Sequence, residues 1–323
     1  MKRHLKKQYI VLIALLITIP ILISSTQTHS PLEPPIEWMK DKIIPPSIPD
    51  KAIYAGEEIV LDRTDLRERM DRELMSFSYM HSSSILIIKR ANRYFPFIEP
   101  ILKANNVPDD LKYLMVIESS MDPFAVSPAG AAGFWQFMKG TARDFGLEVN
   151  ANVDERFHIE KSTVAACKYL KNAYKKYGNW LTAAASYNAG QGRISGELSK
   201  QNEEYAADLW LVPETSRYMF RLMAAKQYME DPHKFGFYIH EDQLYPPFTY
   251  KEVQVSTDIP SLESFAKLND ISYAQLKEAN PWLKGRNLEN KSKRTYTILI
   301  PTKESLFYNP KDIKAYNPKW VSR

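Results

Sequence analysis

The chain has 323 residues, of which 44% are hydrophobic and 25% charged, a composition typical of a globular protein with one sizeable core and room for a small second domain. Its formal net charge of +5 is mild and its basic residues are spread along the chain, so a nucleic-acid-binding module is not indicated. The single cysteine, Cys167, excludes an intramolecular disulfide and a cysteine-rich zinc site. Its position within an apolar helical pattern predicts a packed core thiol.

Residues 1–30 have the pattern of a secretory signal. An apolar run at residues 9–23 is preceded by four basic residues, Lys2, Arg3, Lys6 and Lys7. Small residues follow the run. The run is short for a membrane span of about 20 residues, so a cleaved signal peptide is favoured. An uncleaved signal anchor, with a membrane tether through residues 9–23, is the alternative. Both predict an exported protein of the periplasm or cell envelope, and the prolines that follow predict a semi-rigid linker at residues 31–56.

Helical periodicity dominates the next two hundred residues. Helices are predicted at 62–80, 82–95, 98–105, 141–145 and 160–177, then from an N-cap at 179 to 187, and from 213 onwards. The clearest amphipathic face is that of the helix at 160–177, which carries Val164, Cys167, Leu170, Tyr174 and Tyr177. No strong strand pattern occurs between 60 and 235, so residues 57–245 are predicted to form a helical domain.

The most informative stretch is residues 109–138. Leu111, Leu114 and Met115 form an apolar helical stripe whose next position is Glu118, and Asp122-Pro123 is predicted to end the helix. A buried carboxylate without a partner has a raised pKa and can then act as a general acid near neutral pH. The alternative for Glu118 is a salt bridge to a basic residue at the edge of the core.

Three further motifs follow the Glu118-Ser119 pair. They are G-x-W-Q-F at Gly133 to Phe137, YNAG at Tyr187 to Gly190, and Pro213-Glu214-Thr215 followed by Tyr218. Together, over residues 85–240 with a core at 105–230, they resemble the ordered motifs of the family 1, soluble-lytic-transglycosylase-like peptidoglycan lytic transglycosylases. The AAG sequence before the aromatic-Gln pair resembles the membrane-bound lytic transglycosylase D branch.

The resemblance implies a lysozyme-like helical fold and cleavage of the β-1,4 bond between N-acetylmuramic acid and N-acetylglucosamine, with a 1,6-anhydromuramoyl product. Glu118 would serve as both acid and base, and the attacking group would be the substrate's own C6 hydroxyl. The implied substrate-binding residues are Ser119, Trp135, Gln136, Tyr187, Asn188 and Tyr218. Glycosidases usually need two carboxylates, and the nearest second one, Asp122, is better interpreted as a helix-end residue.

Residues 246–303 have a different pattern, with strands at 250–256 and 296–301 around helices at 262–268 and 273–279. This strand–helix–helix–strand order resembles a LysM carbohydrate-binding module, although the usual Gly-Asp-Thr turn is missing. The alternative, weighed equally, is that these residues form a small unit that only packs against the helical domain. Residues 304–323 are predicted to be a tail, in which Tyr-Asn-Pro occurs twice without explanation.

The overall fold class is therefore mainly α, with a small α+β C-terminal unit. No metal or cofactor is expected, because no histidine pair has metal-ligand spacing and His240-Glu241-Asp242 is interpreted as a surface turn. The expected partner is the peptidoglycan glycan strand. Two alternative functions remain: a goose-type lysozyme-like hydrolase that cleaves the same bond, and a non-catalytic scaffold that binds the cell wall.

Overall fold

A computed structural model describes residues 45–322 of the chain. The predicted signal segment at residues 1–30, and the first part of the predicted linker, lie outside the described residues. The helices in chain order are α1 to α11: Thr64–Tyr79, His81–Ala104, Tyr113–Ser119, Lys139–Asp144, Ile159–Tyr177, Trp180–Ala189, Gln191–Gln201, Pro213–Glu230, Leu262–Leu268, Tyr273–Ala279 and Lys303–Leu306. The strands are β1 to β4: Lys51–Tyr54, Glu57–Val60, Tyr250–Val255 and Tyr296–Pro301.

The mainly α fold class with a small α+β unit is confirmed, because the only sheets within residues 45–322 are two antiparallel strand pairs. In that same part of the chain, none of the helices combines the length and apolar character needed to cross a membrane.

A hairpin begins the described chain and corrects the predicted linker boundary. Strands β1 and β2 pair antiparallel, with Tyr54 opposite Glu57. The alternate residues Ala52 and Tyr54 are buried in the helical core, and Glu57 accepts hydrogen bonds from the first backbone N–H groups of α6. A linker extending to residue 56 is therefore wrong at its C-terminal end, because a short strand alternates with period two and is easily missed beside a proline-rich stretch.

Helix α2 corrects a second prediction. It runs without interruption from His81 to Ala104, where the sequence predicted two helices separated at Pro96. A proline inside a helix removes one backbone hydrogen bond, at a cost of roughly 3 kcal/mol. Two prolines, Pro96 and Pro100, lie inside the helix, and the burial of Phe95, Ile98 and Leu102 in the core around them offsets the cost.

Helix α8 lies at the centre of the helical domain and packs against α1, α3 and α6. The predicted N-cap at Asn179 is confirmed, because its side chain accepts a hydrogen bond from the N–H of Thr182 at 2.7 Å. The predicted buried face of α5 is partly wrong, since Tyr174 is exposed and alanines occupy the buried side. Small side chains there let α6 pack closely.

The C-terminal unit has the predicted strand–helix–helix–strand order. Strands β3 and β4 pair antiparallel from Tyr250 opposite Pro301 to Val255 opposite Tyr296. Ser272 caps α10 with its side chain, as a capping box. The core of the unit includes Phe157 from the helical domain, so the two parts share a hydrophobic cluster.

The predicted tail is not loose. Trp320 is buried in the core of the helical domain, and its indole Nε1 donates to the carbonyl of Met229 at 2.5 Å. The repeated Asn-Pro pairs now have an explanation: Asn309 and Asn317 each cap a single 3-10 turn, and a proline occupies the first position of that turn. The two capped turns direct the chain back over the helices. His240 likewise begins a 3-10 turn at Glu241–Gln243.

Candidate active site

The site is built around the C-terminal end of α3. A 3-10 turn at Asp109–Lys112 leads into the helix, whose residues from Tyr113 to Val116 are buried. The helix ends at Ser119, earlier than the predicted stop at Asp122-Pro123. Ser120 and Met121 then both adopt the left-handed conformation, with φ of 51° and 57°. Two consecutive non-glycine residues in this conformation are strained, and such strain is typical of functional sites.

Glu118 occupies the last turn of α3 and is mostly buried. Burial raises the pKa of its carboxyl to about 7, because the ionised form loses hydration. A hydrogen bond from Tyr218 and the positive charge of Arg221 lower this pKa, and the negative charge of Glu214 raises it. No ion pair within 4 Å involves Glu118 in the described chain, so the salt-bridge alternative fails. A carboxyl that is half protonated near neutral pH can both donate and accept a proton.

Tyr218 contacts this carboxyl directly. Its hydroxyl donates to Oε1 of Glu118 at 2.7 Å from the second turn of α8. Burial and the nearby Glu118 hold the pKa of Tyr218 well above its usual value, so the phenol keeps its proton and acts as a donor. The structure thus brings together two predicted site residues that are a hundred positions apart in the chain.

The loop that carries Gln136 is held by a residue that the sequence reasoning missed. Arg156 is buried and donates to the carbonyl oxygens of Gly130 and Phe137 at 2.7 and 3.0 Å. Its guanidinium also forms a two-bond ion pair with Asp154, at 2.9 and 2.8 Å. The only signal in the sequence is the proximity of Arg156 to Asp154, which does not reveal that the loop lies above them.

Gln136 adopts a left-handed conformation, with φ of 48°. Its side-chain nitrogen donates to the carbonyl oxygens of Ala125 and Gly133 at 3.1 and 2.8 Å. Its Oε1 accepts no hydrogen bond from residues 45–322, so it remains an acceptor for a ligand N–H or O–H. Gly133 is required because a side chain there would have its Cβ 2.0 Å from the carbonyl oxygen of Arg156.

Trp135 corrects a predicted ligand contact. Its side chain is 0% exposed, and its indole donates to Oγ1 of Thr163 at 2.9 Å. A ring with no exposed face cannot stack on a sugar, so Trp135 does not bind substrate through its indole. Its carbonyl instead accepts a hydrogen bond from the hydroxyl of Tyr187 at 2.7 Å, which fixes the Tyr187 ring.

Tyr187 and Asn188 lie at the end of α6. Tyr187 is near Glu118, since that carboxyl contributes, after burial, to holding the pKa of Tyr187 well above normal. Asn188 accepts a hydrogen bond at Oδ1 from Oγ1 of Thr215 at 2.9 Å. Its Nδ2 has no hydrogen-bond acceptor in the part of the chain described, so it can donate to a ligand.

Ser119 is placed differently from its implied role as a substrate-binding residue. Its hydroxyl is buried and donates to the carbonyl of Met115, one turn back in its own helix, at 2.9 Å. Serine and threonine commonly make this bond within a helix, and the proton of the Ser119 hydroxyl is then used inside the helix and is not donated to a ligand. The carboxylate of Asp122 also has partners within the chain, because it accepts hydrogen bonds from Arg90 at 3.2 Å and from the N–H of Phe124 at 2.9 Å.

A second buried carboxylate, Glu73 on α1, organises the arginines behind the site. It pairs with Arg217 at 2.7 Å and Arg72 at 3.0 Å, and lies 3.9 Å from Arg221. This cluster fixes α1 against α8 and places Arg221 where it influences Glu118. Helical spacing in α1 placed Glu73 beside the buried Leu74, but no sequence pattern identified its partners.

Two domain models match separate parts of this chain. Residues 95–209 match the model of the Transglycosylase SLT domain, and residues 251–304 match that of the Soluble lytic transglycosylase C-terminal LysM-like domain. The chain is 29% identical over 262 residues to membrane-bound lytic murein transglycosylase D of Escherichia coli K12, a match that covers 78% of this chain and 56% of that protein. The chain therefore spans about half the length of this curated relative.

Two further similarities are more local. Peptidoglycan transglycosylase gp16 of Escherichia phage T7 is 37% identical over 125 residues, which is 37% of this chain and 9% of that protein. The 70 kDa soluble lytic transglycosylase of Escherichia coli aligns with a TM-score of 0.39 and 19% identity, covering 53% of this chain and 31% of that chain. The chain therefore carries an SLT domain at residues 95–209 and a LysM-like domain at residues 251–304, and it is similar in sequence to murein transglycosylases.

Proposed function

We propose that this protein cleaves the β-1,4 bond between N-acetylmuramic acid and N-acetylglucosamine in peptidoglycan and forms a 1,6-anhydromuramoyl product. The observation that carries the proposal is the state of Glu118, a carboxyl with a pKa of about 7 that accepts a hydrogen bond from Tyr218. The match to the Transglycosylase SLT domain and the printed names of the relatives support peptidoglycan as the substrate.

The mechanism needs one group that gives a proton and then takes one. Protonated Glu118 donates to the glycosidic oxygen as the bond from C1 to that oxygen breaks. The resulting carboxylate accepts the proton of the C6 hydroxyl of the same muramic acid residue, and the C6 oxygen forms a new bond to C1. No water is consumed. A pKa near the working pH balances the two transfers, since either protonation state is then readily reached.

The surrounding residues support this cycle. Tyr218 donates to the carboxylate form and limits how far burial raises the pKa. Gln136 Oε1 and Asn188 Nδ2 are an acceptor and a donor that suit an acetamido group or sugar hydroxyl. An attacking hydroxyl within the substrate has an effective concentration on the order of 10⁵ M or more in favourable cases, so a second carboxylate to activate water is unnecessary.

The goose-type hydrolase alternative would add water across the same bond. One observation favours keeping this alternative: the exposed carboxylate of Glu214 lies near enough to Glu118 to raise its pKa, so a second carboxylate is present near the site. Mass spectrometry of a digest of purified peptidoglycan distinguishes the two, since the hydrolytic product is heavier by one water. We expect anhydro products, and a reducing muramic acid end would contradict the transglycosylase mechanism.

The scaffold alternative predicts binding to the wall with no release of muropeptides by the wild-type protein. The same digest tests it, with the Glu118→Gln variant as the blank. Binding of glycan by residues 251–304 and a location in the cell envelope are further parts of this proposal. They are supported by the LysM-like match and by the murein relatives.

A further inference from the structure

A short stretch at residues 152–156, the junction segment, lies between the LysM-like domain and the loop that carries Gln136. Val153 of this segment forms an antiparallel bridge with Leu283 of the LysM-like domain. The LysM-like domain therefore fixes the backbone of the junction segment. Two hydrogen bonds from a backbone N–H to a carbonyl oxygen flank the bridge: Asp154 to Trp282 at 2.9 Å, and Lys284 to Asn152 at 2.8 Å.

Apolar packing joins the same three parts of the chain. The hydrophobic core of the LysM-like domain includes Val153, the nearby Phe157, and Ala132 from the Gln136 loop, and all three are buried. The ammonium group of Lys284 also lies over the ring of Phe157, at 4.2 Å from its centroid. Because protein interiors are closely packed, a displacement of the LysM-like domain would leave a void against the loop.

The junction segment holds the loop through Arg156. The carboxylate of Asp154 accepts a hydrogen bond from the backbone N–H of Arg156 at 3.2 Å, in addition to its two bonds to the guanidinium. The direction of the guanidinium is thereby fixed, and its Nη1 binds the carbonyl oxygens of Gly130 and Phe137. The carbonyl of Arg156 meets the loop again at Gly133, where no Cβ would fit.

The loop in turn positions groups at the site. Gln136 lies between two of the points that Arg156 contacts, and its Oε1 is the acceptor that suits a substrate N–H or O–H. The carbonyl of Trp135 binds the hydroxyl of Tyr187, whose ring lies near Glu118. A shift of the loop would therefore move the Gln136 acceptor and the Tyr187 ring together.

A second contact fixes the junction segment from the LysM-like domain. Glu148 accepts hydrogen bonds from the hydroxyls of Tyr296 at 3.0 Å and Ser292 at 3.2 Å. Glu148 also exchanges two hydrogen bonds with Glu155 of the junction segment: its N–H donates to the Glu155 carboxylate, and its carbonyl accepts from the Glu155 N–H, both at 2.8 Å. This contact does not depend on the antiparallel bridge.

We propose that the LysM-like domain positions the Gln136 loop for catalysis, and that Asp154 and Arg156 are the positioning residues that connect the two. The proposal rests on the proposed function, since it takes Gln136 as a contact of the substrate. A domain that only bound the cell wall would be dispensable for cleavage of short soluble glycans. A disturbed junction should impair their cleavage as well, because misplacing a binding group by about 1 Å can cost about 10²-fold in rate.

The first test asks whether Arg156 acts through Gln136. Arg156→Lys keeps the positive charge but loses the planar fork that binds Asp154 and the loop at the same time. The assay is cleavage of an uncrosslinked tetrasaccharide of alternating N-acetylglucosamine and N-acetylmuramic acid by the full chain. Arg156→Lys and Gln136→Ala should each lower kcat/KM by about tenfold or more. The double variant should be no slower than the slower single variant, whereas losses that multiply would overturn the proposal.

The second test measures the loop itself and needs no substrate. Tyr296→Phe combined with Ser292→Ala removes both hydroxyls that bind Glu148 and keeps the Tyr296 ring. Hydrogen exchange of the backbone N–H groups at residues 125–137 should become about tenfold faster, while exchange in α8 stays at the wild-type rate. The same variant should cleave the tetrasaccharide more slowly.

A matched variant separates this role from the loss of a hydroxyl in general. Tyr308→Phe removes a hydroxyl that binds the carbonyl of Asp242, away from the junction segment, and should exchange and cleave like the wild type. Unchanged exchange at residues 125–137 in the Tyr296 and Ser292 variant would overturn the proposal. Absence of any product from the wild-type protein would instead count against the proposed function, and the exchange rates would still report whether the LysM-like domain holds the loop.

Discussion

Replacing Glu118 by glutamine removes the proton that the proposed reaction needs, while leaving the shape of the side chain almost unchanged. Removing a general acid costs about 10² to 10⁴ in rate. Because the same carboxyl would also act as the base, the loss in muropeptide release should reach or exceed the upper end of that range.

The same substitution should stabilise the fold in a way that depends on pH. The pKa of Glu118 is about 7 in the folded protein, compared with 4.5 for an unperturbed glutamate, so the folded state binds the proton more tightly than the unfolded state does. By linkage, this contribution to stability is complete below pH 4.5 and is lost as the pH rises through 7. The difference of roughly 2.5 pKa units corresponds to about 3 kcal/mol of stability that the wild type loses between pH 4.5 and pH 8.

Glutamine carries no charge to desolvate and keeps an Oε1 acceptor for the Tyr218 hydroxyl. The melting temperature of Glu118→Gln should therefore equal that of the wild type near pH 4 and exceed it by about 6 °C at pH 8, at roughly 2 °C per kcal/mol for a domain of this size. The assay pairs muropeptide release with thermal unfolding at both pH values. Activity of the variant within tenfold of the wild type would refute the acid/base role. A melting temperature of the variant below that of the wild type at pH 8 would refute the claim that burial destabilises the ionised carboxyl.

Three other predictions test the surroundings of the site. Glu214→Gln removes a negative neighbour and should move the alkaline limb of the kcat/KM–pH profile to lower pH, whereas Arg221→Gln should move it to higher pH; shifts in the same direction would contradict the electrostatic account. A loss of more than a hundredfold in Glu214→Gln would instead favour a second catalytic carboxylate and hence hydrolysis. Gly133→Ala should lower the free energy of unfolding in urea by about 2 kcal/mol or more, because its Cβ would meet a backbone carbonyl oxygen at 2.0 Å, while Gly140→Ala, with nothing within 4 Å, should be neutral or stabilising. Deleting residues 246–323 should lower the melting temperature sharply, because that segment shares hydrophobic clusters with the helical domain; an unchanged melting temperature would show that it folds as an independent module.

The sequence by itself determined much of the architecture, because helices and strands depend on local periodicity and on residues at their ends. The C-terminal helices at Leu262–Leu268 and Tyr273–Ala279 have the predicted bounds, and Asn179 caps α6 as expected. Glu118 was identified by the same local rule, since a carboxylate interrupted an apolar stripe and its pKa is raised by burial.

Predictions that depended on burial across the chain were less successful. Trp135 belongs to the sequence motif, but its ring is enclosed by neighbours that its own segment does not reveal. Pro96 signalled a break that tertiary packing overrides, and the final residues read as a tail although Trp320 fills part of the core. In each case the deciding free energy comes from residues distant in sequence.

Only the tertiary structure decided which side chains meet at the site. Tyr218 reaches Glu118 across a hundred residues, and Arg156 holds loop carbonyls 26 and 19 residues earlier in the chain. A cavity beside Trp210 is likewise lined by arginines from two helices, Arg69 and Arg72 of α1 and Arg193 of α7. Periodicity determines the direction in which a side chain leaves its own helix, whereas its partners depend on how helices pack, and packing is a property of the whole chain.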